Sequence, residues 1–303
     1  MTGSAAHDSA DVAAVARDLA ESEALFARPR VEPDVSAAYG EHPDQVVDFY
    51  APRGGLEGVP LVVVLHGGAW RAPYDRWHLT PFAAFLARRG FAVANVEYRR
   101  GSEGGAGGHS GSGAGPVAGR WPETFDDIAT VMDALPALVA DALPQADPRR
   151  IVVTGHSAGG HLALWATARH VLPAGSPWRL DAPPRLRGVV AIAPIADFAT
   201  AVELGVCGGA VVQLLGGEGE LKARRDSADP SALLPTGIAT AVVQGRNDIV
   251  VPQAVAEAYA DAAARAGEMV GITLLEDVGH YAPVDPGADA CAVVAEELAQ
   301  LAY

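Results

Sequence analysis

Cysteine is scarce in this sequence, and the few cysteines present form no recognisable site. The chain of 303 residues has two, Cys207 and Cys291. Their spacing is not that of metal ligands, and two distant cysteines do not form the set of several closely spaced cysteines that is typical of a disulfide framework. We therefore expect two buried thiols in a reducing compartment.

Positive charge and long apolar runs are also missing. The chain has 22 Lys+Arg against 37 Asp+Glu, a formal net charge of −15, and no block of basic residues. Such a chain repels phosphate backbones and anionic lipids, so we expect no nucleic-acid or membrane partner. No stretch approaches the roughly 20 apolar residues that span a bilayer, and residues 1–8 lack the features of a secretory signal. These absences predict a cytoplasmic protein.

Short apolar runs that alternate with helical patterns are what the sequence does contain, and half of its residues are hydrophobic. The β-branched runs predict strands at residues 61–65, 92–96, 151–154, 188–192, 241–244 and 271–275, with a weaker edge strand at 45–50. Helices are predicted at residues 77–89, 123–135, 157–170, 252–266 and 287–301. This alternation predicts an α/β fold with a mostly parallel central sheet and helices on both faces.

The expected domain organisation is a single large domain over residues 45–303, preceded by an N-terminal segment, residues 1–44, with a helical pattern near 8–26. The Gly- and Ser-rich residues 101–119 predict a mobile loop. The connection at about 195–234 is long enough to carry its own helices and to form a small partial cap over a site.

Ser157 is the candidate nucleophile. It lies in the run Gly-His-Ser-Ala-Gly at 155–159, between the predicted strand at 151–154 and the helix that follows. In this strand–turn–helix setting a Gly-x-Ser-x-Gly match is informative, because the serine projects above the sheet on a sharp turn and the glycines avoid clashes. The alternative is a glycine-rich turn in which Ser157 is an ordinary helix N-cap.

A second glycine motif supports the first. The strand at 61–65 leads into His-Gly-Gly-Ala-Trp at 66–70, where the paired glycines let the main chain approach a substrate. The N–H groups of Gly67 and Gly68, with that of Ala158, would form an oxyanion hole for a tetrahedral intermediate. A tight turn is the alternative for the glycine pair, but two such motifs at two strand ends favour catalysis.

His280 is the candidate base. Sites with this kind of nucleophile place the acid and then the histidine after the serine in the chain. His280 follows the last predicted strand, where a loop would bring it over Ser157. His161 and His170 lie on the helix that Ser157 starts, and we expect them to pack or to face solvent.

Asp248 is the candidate acid, because it follows the predicted strand at 241–244. Its carboxylate would accept a hydrogen bond from His280, hold the ring in one tautomer and stabilise the imidazolium. Asp197, which follows the strand one earlier, is the runner-up.

These motifs resemble those of the α/β-hydrolase superfamily, and more closely its small esterase and arylformamidase branch. The run Leu-His-Gly-Gly-Ala-Trp at 65–70 is similar to the His-Gly-Gly-x-Trp signature of kynurenine formamidase-like enzymes. The hormone-sensitive-lipase branch has a third glycine where this chain has Ala69. The runs at 96–99, 155–162 and 279–281 are similar to the strand-end Tyr-Arg, the nucleophile turn and the terminal histidine motif. The resemblance covers about residues 45–302.

The predicted activity is hydrolysis of a carboxylic ester of a small molecule through an acyl-enzyme, without a metal or organic cofactor. Hydrolysis of an aryl formamide is the alternative, and its aromatic wall would come from Trp70, Tyr74 and Trp77, although Trp77 is as well explained by packing. His156 and Tyr281 complete the candidate substrate pocket. Because the base must be neutral, kcat/KM is expected to fall below about pH 6–7.

Two further readings are weaker. A peptidase of the same fold is disfavoured, because no propeller-like domain precedes residues 45–303. A non-catalytic binding protein that reuses the fold is disfavoured, because the candidate serine, aspartate and histidine are all present.

Overall fold

Apolar β-branched runs form the strands of one sheet in the computed structural model, which describes residues 3–101 and 117–303. The strands are β1 (Val35–Ala38), β2 (Val46–Tyr50), β3 (Val59–Leu65), β4 (Ala92–Val96), β5 (Ala146–His156), β6 (Gly188–Ile192), β7 (Thr240–Gly245) and β8 (Gly271–Leu275). Their order is β1-β2-β4-β3-β5-β6-β7-β8. The pairs β1–β2 and β2–β4 are antiparallel, and every other pair in this order, from β4–β3 to β7–β8, is parallel. The expected mostly parallel sheet is confirmed.

Helices cover both faces of this sheet. They are α1 (Gly3–Phe26), α2 (Thr80–Arg88), α3 (Glu123–Ala142), α4 (Ala158–Thr167), α5 (Phe198–Glu203), α6 (Ala210–Leu214), α7 (Glu218–Arg224), α8 (Gln253–Arg265) and α9 (Asp289–Ala302). Successive residues of β3 point to opposite faces: Leu61 and Val63 pack with α3, α4 and α8, and Val62 packs with α2 and α9. Because both faces of β3 are buried, its residues are apolar throughout.

The predicted edge position of the strand at 45–50 is wrong. β1 pairs with β2 on its outer side, so that Val35 lies opposite Phe49 and β2 is the second strand of the sheet. The sequence of β1 is Val-Ser-Ala-Ala, and its residues are exposed or half-buried. A strand with so little apolar alternation leaves no periodic signal in the sequence.

Two helix bounds also differ from expectation. The predicted helix at 77–89 begins as a 3-10 turn, Arg76–Leu79, in which Asp75 accepts a hydrogen bond from the Trp77 N–H, and α2 follows. The helix predicted at 123–135 continues to Ala142 with Pro136 inside it.

The long connection after β6 contains α5, α6 and α7, as its length predicted. Most of the predicted mobile loop, residues 102–116, lies outside the described residues. In the described ranges no helix has the length and apolar character needed to cross a membrane. The division into residues 1–44 and 45–303 stays a prediction.

Candidate active site

The carboxyl end of β5 and the start of α4 hold Ser157 in a strained turn. Its backbone lies at φ 57° and ψ −116°, a region that non-glycine residues rarely adopt. A Cβ on Gly155 would lie 2.2 Å from the Gly159 carbonyl oxygen, and a Cβ on Gly159 would lie 2.1 Å from that of Leu65. Both glycines are therefore required for the close approach of the turn, the helix and β3, which explains the motif at 155–159 physically.

A short hydrogen bond joins the candidate acid and base. His280 Nδ1 lies 2.7 Å from Asp248 Oδ2, and both side chains are almost completely buried. The other oxygen, Oδ1, accepts hydrogen bonds from the N–H groups of Val250 at 2.9 Å and Val251 at 2.8 Å. These bonds fix the carboxylate, which in turn fixes the His280 ring and leaves its Nε2 available to the candidate nucleophile.

Ser157 and His280 line the same cavity. Within the described part of the chain, no hydrogen bond joins the Ser157 hydroxyl to His280, whose ring bonds to Asp248. Such bonds are often long in the unliganded state and tighten when a substrate is bound.

The other candidate groups have structural partners. Asp197, the runner-up acid, is the N-cap of α5 and accepts a hydrogen bond from the Thr200 N–H at 2.8 Å. His161 Nε2 lies 2.9 Å from the Ala228 carbonyl oxygen, and His170 Nε2 lies 2.9 Å from that of Thr236. Burial lowers the pKa of His161 to about 4, so this residue is a neutral core histidine.

The glycine motif after β3 lies against the nucleophile turn. Gly68 and Ala69 line the cavity, and their N–H groups have no hydrogen-bond partner among the described residues. Gly67 lies behind them, where a Cβ would be 2.9 Å from the His156 carbonyl oxygen. Ala158 begins α4 directly after the candidate nucleophile. Of the predicted donor residues, Gly68 lines the cavity and Gly67 does not, and the structure adds Ala69, which the sequence did not single out.

A buried polar network supports this loop. His66 Nδ1 lies 2.8 Å from the Gly67 carbonyl oxygen, and Nε2 lies 2.8 Å from Glu97 Oε1. The Tyr98 hydroxyl donates to the His66 carbonyl oxygen at 2.7 Å. Burial favours a raised pKa for Glu97, but His66 and Arg100 outweigh it and hold the pKa at about 2. An ionised carboxylate therefore anchors the first residue of the loop.

The cavity beside these groups has a volume of about 220 Å³. Of the predicted pocket residues, Tyr74, His156 and Tyr281 line it. Trp70 does not: its ring is fully buried and packs against His161 and Phe198 in the core. The candidate wall residue Trp77 also lies outside the cavity lining. The remaining lining residues, which sequence reasoning missed, are Phe26, Arg71, His78, Cys207 and Val250.

Aromatic rings form one side of the cavity. The Phe26 ring centroid lies 6.0 Å from that of Tyr74, 5.5 Å from that of His78 and 6.1 Å from that of Tyr281. Burial lowers the pKa of His78 to about 3, so its imidazole is neutral at physiological pH. Burial, together with the charge of the nearby His280, also holds the pKa of His156 well below its ordinary value. The cavity therefore has an apolar, aromatic side facing the polar groups.

The two cysteines are free thiols. Cys291 is buried, as expected, but Cys207 is half-buried and lines the cavity. Burial raises the pKa of Cys207 to about 11, which keeps this thiol protonated and poorly nucleophilic.

A larger cavity, of about 600 Å³, lies away from these groups. It is lined by residues near the start of β5, among them Arg149 and Ile151, and by Arg187 just before β6. Ligand sites of open parallel sheets lie at the carboxyl ends of the strands, so the smaller cavity is the candidate active site.

The BD-FAE family model matches residues 47–262, which is more than half of the chain. This chain belongs to the BD-FAE family. The matched range includes the serine turn, the glycine motif and Asp248, and it ends before His280.

Curated relatives match shorter stretches. The probable isoprenylcysteine alpha-carbonyl methylesterase ICME of Oryza sativa subsp. japonica is 30% identical over 131 residues, 43% of this chain and 27% of that protein. The probable carboxylic ester hydrolase LipM of Mycobacterium tuberculosis is 26% identical over 168 residues, 54% of this chain and 35% of that protein. The matched stretches thus span only about a quarter to a third of the length of these relatives.

Solved structures match over nearly the whole chain. A truncated carbohydrate esterase from gut microbiota has a TM-score of 0.70 at 17% identity, covering 91% of this chain and 99% of that one. Esterase B from Lactobacillus rhamnosis has a TM-score of 0.68 at 19% identity, covering 95% and 93%. With the sheet order above, these likenesses confirm the α/β-hydrolase fold. The BD-FAE family match and the esterase relatives place the chain in the α/β-hydrolase superfamily. The arylformamidase branch stays a hypothesis.

Proposed function

We propose that this protein is a serine hydrolase that cleaves carboxylic esters of small molecules through an acyl-enzyme. The observation that carries the proposal is the 2.7 Å bond between His280 and Asp248 beside the cavity that holds the strained Ser157. The relatives described as a methylesterase and as a carboxylic ester hydrolase support the choice of an ester.

The proposed reaction has two halves. The Ser157 oxygen bonds to the ester carbonyl carbon while His280 Nε2 takes the hydroxyl proton, and the N–H groups of Gly68, Ala69 and Ala158 stabilise the oxyanion. His280 returns the proton to the alcohol oxygen as its bond to the carbonyl carbon breaks. A water molecule then attacks the acyl-enzyme with His280 as base, and the acid is released as Ser157 recovers its proton.

Cavity size supports a short acyl group. Pockets for drug-sized ligands have volumes of roughly 300–1,000 Å³. The cavity of about 220 Å³ is smaller than that and is closed on one side by aromatic rings. On a series of p-nitrophenyl esters, kcat/KM is expected to be highest for acetate to butyrate and to fall for octanoate.

Covalent labelling tests the nucleophile. A fluorophosphonate probe should label the wild-type protein at Ser157, and Ser157→Ala should abolish both labelling and turnover of p-nitrophenyl acetate. Equal labelling of the variant, or no labelling of the wild type, would contradict a serine hydrolase and favour a non-catalytic binding protein.

An aryl formamide is the second candidate substrate, because Phe26, Tyr74 and Tyr281 place aromatic rings beside the candidate nucleophile. Aromatic side chains attract planar aromatic ligands by offset or edge-to-face packing. Initial rates on N-formylkynurenine and p-nitrophenyl acetate separate the two candidates. A higher kcat/KM on the formamide would favour the arylformamidase hypothesis over the ester hydrolase.

A further inference from the structure

The end of α1 contacts the loop that carries His280. The carboxylate of Glu21 accepts three backbone hydrogen bonds from this loop: from the N–H of Gly279 at 2.8 Å, of Tyr281 at 3.1 Å and of Ala282 at 3.1 Å. These donors lie on both sides of His280 in the chain. α1 precedes the range that the family model matches, so no motif points to this contact.

Local geometry shows that the contact is close and specific. A Cβ on Gly279 would lie 2.8 Å from Glu21 Oε2, so any other residue there would displace the carboxylate from its present position. Hydrogen bonds from N–H groups to an ionised carboxylate are roughly twice as strong as bonds between neutral groups. Three of them on one carboxylate therefore fix the path of the loop.

The His280 loop is then held from two sides. Its N–H groups bond to Glu21, and the His280 carbonyl oxygen lies 2.9 Å from His156 Nε2 on the nucleophile turn. Asp248 fixes only the ring of His280. Because the ring is carried by the backbone, the position of Nε2 relative to Ser157 depends on the loop as well as on Asp248.

α1 has another attachment that does not involve the His280 loop amides. Arg28, two residues beyond the helix, donates to both oxygens of Asp285, with Nε–Oδ1 at 2.7 Å and Nη2–Oδ2 at 3.2 Å. Leu25 is buried in the core beneath α2 and α9. Removing Glu21 thus leaves α1 attached, and its effect on His280 is separable from the docking of the helix.

We propose that Glu21 is a positioning residue for the base His280, acting through the backbone of residues 279–282. This role rests on the proposed function, in which His280 takes the proton of Ser157. It makes α1, which lies outside the matched family range, a part of the active site.

The test compares kcat and KM on p-nitrophenyl acetate, per active site titrated with the fluorophosphonate probe. Glu21→Ala is expected to lower kcat about 10- to 100-fold with KM nearly unchanged, because displacing a catalytic group by about 1 Å costs up to about 100-fold. The rate of fluorophosphonate labelling should fall by a similar factor. Glu21→Gln, which keeps one acceptor oxygen, should give an intermediate kcat, and it serves as the test variant if Glu21→Ala unfolds.

Two controls separate positioning from charge and from docking. Glu23→Ala removes an exposed carboxylate from the same helix and should leave kcat unchanged. Arg28→Gln loosens α1 without touching the His280 loop amides, and it should lower the melting temperature more than kcat. The positioning role would be overturned if both Glu21 variants kept the wild-type kcat per titrated site. It would also be overturned if Arg28→Gln lost as much kcat as Glu21→Ala. A wild-type protein that the probe does not label would overturn the proposed function as well.

Arg71 gives an independent indication of substrate class. It lines the cavity beside Ser157, and its Nη2 donates to the Cys207 carbonyl oxygen at 2.7 Å. Among the described residues its other terminal nitrogen, Nη1, makes no hydrogen bond and is not fully buried, and no carboxylate oxygen lies within 4.0 Å of the guanidinium. In a chain with 37 Asp+Glu against 22 Lys+Arg, a cavity guanidinium with no carboxylate partner among residues 3–101 and 117–303 is suited to bind an anionic group of a ligand.

We infer that Arg71 binds a carboxylate carried by the substrate, so that half-esters of dicarboxylic acids are preferred to neutral esters. This inference also rests on the proposed function, and turnover of p-nitrophenyl acetate by the wild type tests the ester-hydrolase activity separately. The wild type should have a higher kcat/KM on monomethyl succinate than on dimethyl succinate. Arg71→Gln should raise KM for the half-ester about 10- to 100-fold, the usual value of a hydrogen bond to a charged group, and spare the diester.

Arg88→Gln, which removes an exposed arginine of α2, is the matched control and should change neither KM. An equal loss on both esters in Arg71→Gln would show that Arg71 only ties its loop to Cys207, and would overturn the inference. A wild-type preference for the diester would overturn it too.

Discussion

Asp248→Asn changes one atom of the candidate acid, and the structure fixes how the new side chain must lie. Two backbone N–H groups, those of Val250 and Val251, point at Oδ1 within 2.9 Å. The single oxygen of asparagine must stay there, because the opposite orientation would set its NH2 group against two buried N–H donors. The NH2 group then replaces Oδ2, which lies 2.7 Å from His280 Nδ1.

This arrangement forces the wrong tautomer on the base. Facing an NH2 donor, His280 Nδ1 must accept, so the ring proton moves to Nε2 and the nitrogen that should take the Ser157 proton is blocked. The same substitution in serine proteases of the triad type lowers kcat about 10⁴-fold. We expect a loss of that order, about 5 kcal/mol of barrier, with KM nearly unchanged.

Stability is expected to change much less. The amide of Gln244 donates to Asp248 Oδ2 at 3.2 Å, and in the variant it would face the new NH2 group. An unsatisfied buried donor costs about 1–3 kcal/mol, so the free energy of unfolding should fall by that amount. Urea unfolding measures this loss of stability. The kcat of the variant is then measured at a temperature at which the variant is fully folded.

The matched control is Asp197→Asn, since this runner-up acid caps α5 just after β6, the strand that pairs with β7. Asparagine is as good an N-cap as aspartate, so kcat and stability should stay near wild type. The role of Asp248 is refuted if Asp248→Asn keeps more than about a hundredth of the wild-type kcat on p-nitrophenyl acetate, or if Asp197→Asn loses as much kcat as Asp248→Asn.

Three further predictions concern the loop, the core and the thiol. Gly68→Ala should lower kcat about 10²- to 10³-fold, because the clash would displace an oxyanion donor. Gly68 has φ 106°, and a Cβ there would lie 2.2 Å from Tyr74 Cβ. A wild-type kcat in this variant would show that the loop adjusts without loss of the donor. The pKa of His161 is about 4 in the folded protein, below its ordinary value, so the unfolded chain binds more protons between about pH 6.5 and 4. The free energy of unfolding in urea should therefore fall as the pH is lowered through that window, and less steeply in His161→Gln. Iodoacetamide at pH 8 should leave activity intact, because burial raises the pKa of Cys207 to about 11; rapid inactivation that Cys207→Ala prevents would contradict this.

The parts of the site that the sequence predicted are those whose requirements are local. Gly155 and Gly159 are separated from Ser157 by one residue each, and the clash that excludes a Cβ at either position arises within the same turn or with β3 beside it. Asp248 and His280 each follow a strand of a parallel sheet, and the carboxyl ends of such strands meet at one edge. Residue type, order and strand position were sufficient to place them.

The residues that sequence reasoning missed come from segments without such constraints. Phe26 and His78 line the cavity because α1 and the turn before α2 pack there, and no spacing in the sequence encodes that packing. Trp70 shows the converse error, a residue that was predicted in the pocket and does not lie there. It directly follows the glycine motif, but its backbone has a positive φ of 55° and its ring is buried in the core. A local motif fixes where a backbone passes, and the direction of a large side chain depends on the space that distant elements leave.

The proposed roles of Glu21 and His280 bear on where specificity resides. The family match covers residues 47–262, and therefore the nucleophile, the acid and the glycine motif. The candidate base and the carboxylate that holds its loop both lie outside that range, on opposite sides of it in the sequence, and they meet at Gly279. The same α1 that supplies Glu21 ends at Phe26, a wall of the cavity. A substitution in α1 should therefore alter proton transfer through Glu21 and substrate fit through Phe26 independently, because one acts on kcat and the other on the size of the cavity.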